Sequence, residues 1–145
     1  MPSFDITAQS GPLIVTLVYI GFYYALTAYG LQVKISLMKE YKARGETFDR
    51  YFGQDRRMLA ADRMQLNMLE HMPPFLMLLW LNALFIGPEG ATMAGGIYVI
   101  TRAIYPFLMG KTLGRGIPLR IFASTFTGYA VLIYFAGALI GGVMG

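Results

Sequence analysis

The sequence predicts an all-α integral membrane protein, a bundle of four antiparallel transmembrane helices, from two observations. Hydrophobic residues make up 56% of the 145-residue chain and charged residues 14%, whereas soluble domains carry about 25% charged residues. Long stretches also lack charge: 28 residues between Asp5 and Lys34, 18 between Glu70 and Glu89, and 25 from Ile121 to the C-terminus. Each stretch is close to the ~20 apolar residues that cross a bilayer as a helix.

Four segments have the length and composition of spans: residues 11–38, 54–85, 91–109 and 118–143. The third is apolar except for Arg102. The second would be roughly 48 Å long, so we expect it to project into the headgroup region. Pro73 and Pro74 are expected to kink it, at a cost that neighbouring helices can offset. The main loop is residues 40–55, and one membrane domain, residues 1–145, accounts for the whole chain.

The basic residues predict how the chain is oriented in the membrane. Seven of the twelve lie in or next to the loop that joins the first and second spans: Lys34, Lys39, Lys42, Arg44, Arg50, Arg56 and Arg57. Three more follow the third span: Lys111, Arg115 and Arg120. The positive-inside rule therefore places both basic loops in the cytoplasm and both termini on the other side. Basic loops in these positions favour contact with anionic headgroups over nucleic-acid binding.

The first apolar stretch is too long for a cleaved signal and no basic segment precedes it, so we interpret it as a retained span. The compact loops and the lack of a retrieval signal favour a bacterial inner membrane over the endoplasmic reticulum. The sequence contains no cysteine, which excludes disulfides and thiolate metal sites and requires any catalytic thiol to arrive with a substrate. His71 is the only histidine and cannot supply paired haem ligands within one subunit. We expect no metal.

Polar residues inside the second span point to a binding site. At about 100° per residue, Arg63, Asn67 and Glu70 lie within about 60° of one another on one face of a helix. Ionisable groups in a span cost roughly 2.5–3.5 kcal/mol each and are normally paired. One alternative is an Arg63–Glu70 pair within the helix, with Asn67 bonding a neighbouring helix. Residues seven apart pair poorly, which favours a third partner.

One face of the third span carries four residues at helical spacing: Tyr98, Arg102, Tyr105 and Met109. Arg102 needs a counter-ion, and either Glu70 or a ligand carboxylate would serve. An alternative interpretation of Tyr105 is an ordinary aromatic residue at the membrane interface, with no part in a binding site. Arg120, near the start of the fourth span, would in isolation be interpreted as an anchor that reaches to the headgroups.

Residues 63–76, Arg-Met-Gln-Leu-Asn-Met-Leu-Glu-His-Met-Pro-Pro-Phe-Leu, resemble the Arg-x-x-x-Asn-x-x-Glu signature of the MAPEG family. These are membrane-associated proteins of eicosanoid and glutathione metabolism, and they include the microsomal glutathione transferases. The segments Arg-Ala-Ile-Tyr at residues 102–105 and Pro-Leu-Arg at residues 118–120 follow in the family order. The resemblance covers essentially the whole chain.

The resemblance implies a homotrimer with a glutathione site at each subunit interface. It assigns glutathione contacts to seven residues: Arg63, Asn67, Glu70, Arg102 and Tyr105, with Gln65 and His71 as second-rank contacts. Arg120 corresponds to the arginine proposed to stabilise the thiolate. The chain departs from the family at Met109, where several members have tyrosine, and Lys34 and Lys39 are the residues nearest to the family's second arginine.

The chemistry of glutathione agrees with these assignments. Its two carboxylates and one ammonium match a site of arginines and one glutamate. A guanidinium beside the thiol favours the thiolate. The resulting hypothesis is a detoxifying glutathione transferase or peroxidase that takes a lipophilic second substrate from the bilayer. Two alternatives are a non-catalytic lipid-binding scaffold of the same family and a small proton-coupled exporter that uses Glu70.

Overall fold

The computed structural model describes residues 6–116 and 118–144, and within them the chain forms four α-helices and no strand. The helices are α1 (Ser10–Ala43), α2 (Arg56–Phe85), α3 (Pro88–Met109) and α4 (Ile121–Met144). The predicted all-helical architecture is confirmed in this part of the chain. Three helices, α1, α2 and α4, are long and apolar enough to cross a membrane. The role of α3 as a fourth span stays a prediction.

The start of α2 is held against the end of α1. Asp55 caps α2 by accepting hydrogen bonds from the backbone N–H groups of Arg57 at 2.8 Å and Met58 at 3.3 Å. The Tyr41 hydroxyl, near the end of α1, donates to the other Asp55 oxygen at 3.1 Å. Burial raises the pKa of Asp55, but these hydrogen bonds outweigh it and hold the pKa below its ordinary value. The cap explains why α2 begins at Arg56.

The connections after α2 and α3 are short. Only Ile86 and Gly87 separate α2 from α3, so these helices are antiparallel neighbours. Gly110 ends α3 with φ +81°, a left-handed conformation that glycine adopts without strain. Pro118 was expected to start the fourth helix, but α4 begins at Ile121. A single turn precedes it, in which the Ile121 N–H donates to the Pro118 carbonyl at 2.9 Å.

The turn after α3 is bonded to the start of α2. The Leu113 N–H donates to the Arg56 carbonyl at 3.0 Å, and the Arg56 Nε–H donates to the Leu113 carbonyl at 2.5 Å. These two hydrogen bonds join the two basic connections, the one between α1 and α2 and the one between α3 and α4, at the same end of the bundle.

Three aromatic rings form the centre of the core. Tyr19, Phe75 and Tyr98 are fully buried and come from α1, α2 and α3. The rings of Phe75 and Tyr98 are stacked with centroids 4.0 Å apart, and Tyr19 lies 5.0 Å from Phe75. The Tyr19 hydroxyl donates to the Met68 carbonyl at 2.7 Å, so its burial leaves no polar atom unsatisfied. Helix α2 continues through the two prolines next to Phe75.

Polar side chains join the helices toward the end of the bundle that lies opposite the basic connections. The indole N–H of Trp80 donates to the Thr16 hydroxyl at 3.1 Å, which links α2 to α1. The Asn82 amide donates to the Phe135 carbonyl at 3.0 Å, which links α2 to α4. Such interhelical hydrogen bonds are typical of membrane helix packing.

Candidate functional site

Arg102 is the most unusual residue of the described structure because its side chain is fully buried without a carboxylate partner. Its Nη1–H donates to the Asn67 side-chain oxygen at 3.1 Å, and its guanidinium carbon lies 4.9 Å from the centre of the Tyr98 ring. Nε and Nη2 have no hydrogen-bond partner within residues 6–116 and 118–144. A buried cation with free donors is costly, so the site favours an anion or ordered water.

The backbone of α4 approaches this guanidinium at Gly128. A Cβ atom at that position would lie 2.6 Å from Arg102 Nη2 and 3.2 Å from its Cζ. Only a residue without a side chain fits there while Arg102 keeps its position. Gly128 therefore belongs to the packing of the site.

Glu70 pairs with Arg63 rather than with Arg102. The distance between Arg63 Nη1 and Glu70 Oε1 is 3.9 Å, too long for a hydrogen bond, and about half of each side chain is exposed. Of the two counter-ions considered for Arg102, the protein's own glutamate thus makes no ion pair with it. An exposed pair of this kind contributes about 0–1 kcal/mol, so both groups keep hydrogen-bonding capacity for a ligand.

A cavity of about 470 Å³ lies between α2, the end of α3 and the first turns of α4. Five of the predicted site residues line it: Arg63, Asn67, Glu70, His71 and Tyr105. Met109, on the predicted face of α3, lines it as well. The stripe on α2 and the face of α3 therefore meet at one cavity, with Arg102 behind Asn67.

Three further polar residues, which the sequence patterns did not predict, also line this cavity: Arg115, Thr125 and Tyr129. The Tyr129 ring contacts His71 edge-on at 5.5 Å. Thr125 and Tyr129 follow Ile121 at i+4 and i+8, so the helical period of α4 would have identified them. Arg115 lies in the turn before α4, where no periodicity applies.

Two predicted residues lie elsewhere in the described chain. Gln65 points away from this cavity and lines another of about 400 Å³, between α1 and α2, together with Lys34, Asp62 and Arg50. There, Lys34 Nζ contacts Asp62 Oδ1 at 2.7 Å. Arg120 is exposed, and its Nε–H donates to the Leu108 carbonyl at 2.6 Å, near the end of α3. In one chain, Arg120 is not a lining residue of the larger cavity.

The larger cavity can bind a ligand that carries both signs of charge. It presents the guanidiniums of Arg63 and Arg115, one carboxylate at Glu70, and the Asn67 amide that Arg102 orients. No cluster of three or more His, Asp or Glu side chains with metal-binding spacing occurs in the described residues. The arrangement therefore suits recognition of an anionic or zwitterionic molecule.

The sequence model of the MAPEG family matches residues 12–141, nearly the whole chain. The comparison with curated proteins found no match.

Proposed function

The chain belongs to the MAPEG family of multi-pass membrane proteins of eicosanoid and glutathione metabolism, and on this premise we propose that it is a glutathione transferase. Reduction of lipid hydroperoxides would be a second reaction of the same site. The observation that supports the proposal is the cavity in which two arginines, one glutamate and an arginine-bound asparagine meet. These groups complement the two carboxylates and the ammonium of glutathione.

Each charged group of the cavity has a role in this proposal. Arg63 and Arg115 bind the glutathione carboxylates, and Glu70 binds the ammonium. Asn67, fixed by Arg102, and Tyr105 hydrogen-bond the peptide part, with His71 as a second-rank contact. Lipophilic electrophiles reach the thiol from the bilayer.

A homotrimer would complete the site. Helix α2 carries polar residues on two faces, with Glu70 in one cavity and Gln65 in the other. A neighbouring copy can bring its Gln65 and Lys34 to the glutathione that is bound at Glu70. This arrangement would explain why Gln65 lies apart from the other site residues in a single chain. We place this interface at the cytoplasmic end of the bundle, with both termini on the opposite side.

The glutathione thiol loses its proton to solvent, and Arg120 is proposed to stabilise the resulting thiolate. In conjugation the thiolate attacks the electrophilic carbon, a C–S bond forms, and the leaving group departs with its electron pair. In hydroperoxide reduction two glutathione molecules are oxidised to the disulfide while the hydroperoxide is reduced to an alcohol and water. Because Arg115 lines the cavity, it is the second candidate for the thiolate-stabilising group.

The test is a glutathione titration of the purified protein in detergent, together with a conjugation assay that uses an aromatic electrophile. Plain cysteine serves as the comparison thiol. We expect saturable glutathione binding and conjugation that cysteine does not support. Arg120→Ala should reduce the conjugation rate by roughly tenfold or more at neutral pH, whereas Arg44→Ala, in the exposed loop, should not. Full conjugation activity in Arg120→Ala would refute the role of that residue.

The two alternatives predict other outcomes. A non-catalytic scaffold would bind lipid without conjugating glutathione. An exporter would show proton-coupled drug flux in vesicles that disappears in Glu70→Gln.

A further inference from the structure

A groove follows α1 on a side of the bundle that shares no lining residue with the candidate site. Its first part has a volume of about 330 Å³ and is almost entirely apolar. Phe22 and Leu26 of α1 face Met64 of α2 and Phe107 of α3 across it. Leu26 and Met64 are buried, whereas 82% of the Phe107 side chain is exposed. An apolar floor with an exposed aromatic rim suits a hydrocarbon chain.

The second part of the groove, about 270 Å³, is more polar than the first, and about half of its lining is polar. Gln32 and Ser36 of α1 line it with Arg57, from the first turn of α2. The two parts share Tyr29 and Lys111, so the apolar and polar parts are adjacent. The groove thus has the polarity profile of an amphiphile.

The length of the groove matches one leaflet of a bilayer. From Phe22 to Ser36 the helix advances by roughly 21 Å at ~1.5 Å per residue. Half of a bilayer, including its headgroup region, measures about 20–22 Å. A lipid aligned with α1 would therefore place its acyl chain at Phe22 and its headgroup at Ser36.

The charges at the polar end favour an anionic headgroup. Arg57 donates one N–H to Glu40 at 2.8 Å and keeps its other donors. Ser36 donates to the second oxygen of the same carboxylate at 3.1 Å. Lys111 makes no ion pair with any residue of 6–116 or 118–144. Arg57, Glu40 and Lys111 together carry a net positive charge.

Lys111 is also held in place. It follows Gly110, whose N–H bonds the Pro106 carbonyl at 3.0 Å. Two residues later the chain is fixed to α2 by the hydrogen bonds between Leu113 and Arg56. The lysine is thus tied at both sides to the elements that form the groove.

We propose that this groove binds one anionic phospholipid of the surrounding leaflet, with its phosphate at Lys111 and Arg57 and an acyl chain between α1 and Phe107. Attraction of an anionic lipid to a single basic residue is about 1 kcal/mol, which corresponds to a preference on the order of fivefold over a zwitterionic lipid. The site is independent of glutathione binding.

The first experiment identifies the occupant. Phe107 is replaced by the photoreactive benzoylphenylalanine, and the protein is reconstituted in phosphatidylcholine vesicles with a minor fraction of phosphatidylglycerol. We expect phosphatidylglycerol adducts enriched on the order of fivefold over the bulk composition. The same replacement at Phe126, which is exposed on α4 outside the groove, should give adducts in proportion to the vesicle. Equal enrichment at both positions, or cross-linking of Phe107 to a second copy of the chain, would overturn the proposal.

The second experiment tests the charge in the same photoreactive background. Lys111→Glu should remove the enrichment of phosphatidylglycerol. Lys42→Glu makes the same charge change at an exposed residue that lines neither part of the groove and should leave the enrichment intact. If both variants lose it equally, the attraction is diffuse and the groove is not a lipid site.

Discussion

Replacing Gly128 with alanine tests whether the position of Arg102 controls the candidate site. The new Cβ atom would lie 2.6 Å from Arg102 Nη2, whereas ordinary contacts begin near 3.4 Å, so the nitrogen must move by about 0.8 Å. Because the guanidinium is planar and fully buried, we expect this movement to weaken its 3.1 Å hydrogen bond to Asn67 and its contact with Tyr98. Overpacking of this kind costs about 1–3 kcal/mol, and a lost hydrogen bond to a charged group about 1.5–3 kcal/mol.

Two measurements follow from these magnitudes. The variant should unfold in detergent at a lower temperature than the unmodified protein, and its affinity for glutathione should fall roughly tenfold to a hundredfold. Gly137→Ala is the matched control because it lies on the same helix and its Cβ would have no atom within 4 Å. Alanine improves helix propensity there, so the control should be neutral or slightly more stable. Unchanged stability and affinity in Gly128→Ala would show that Arg102 does not act through this packing.

Three further predictions concern the charges and the core. Glu70→Gln should weaken glutathione binding roughly tenfold in the same titration, because the ammonium loses a charged partner; an unchanged affinity would remove Glu70 from the site. Tyr19→Phe should cost about 1 kcal/mol in a denaturant titration, since the buried Met68 carbonyl loses a hydrogen bond of 2.7 Å, and a neutral result would contradict that. Folding lowers the pKa of Asp55 from its ordinary value of 3.8. The resulting stabilisation is fully present at pH values above 3.8 and is lost as the pH falls through the folded-state pKa. The melting temperature should therefore fall as the pH is lowered below about 4, and it should fall less in Asp55→Asn, which keeps the cap. An equal fall in both proteins would rule out this carboxyl as the cause.

The helix faces that carry the candidate site could be predicted from the spacing of residues in the sequence. The stripe of Arg63, Asn67 and Glu70 on α2 and the face with Tyr105 on α3 were predicted from a spacing of about 100° per residue, and the structure brings these residues to one cavity. Charge-free length alone predicted that the chain is helical, and the described residues agree.

What the sequence could not provide depends on contacts between distant segments. Arg115 approaches the cavity because the turn after α3 is bonded to α2 through Leu113, and no local pattern encodes that approach. Similarly, the absence of an ion pair between Glu70 and Arg102 in the described residues depends on interhelical distances that the sequence does not encode. The start of α4 differed from the prediction because a single turn follows Pro118 before the helix begins. Arg120 lies outside the cavity because its Nε–H donates to the Leu108 carbonyl at 2.6 Å, a contact that no local pattern encodes.

The hydrogen bond between Trp80 and Thr16 provides an optical probe. Trp80 is the only indole in the chain, so its fluorescence comes from a single place, the contact between α1 and α2. It lies ten residues from Glu70 along the same helix, which is roughly 15 Å. Its emission should respond when these helices separate and stay constant when a molecule enters the charged cavity. A fluorescence spectrum can thus distinguish a variant in which α1 and α2 have separated from a folded variant that no longer binds its ligand.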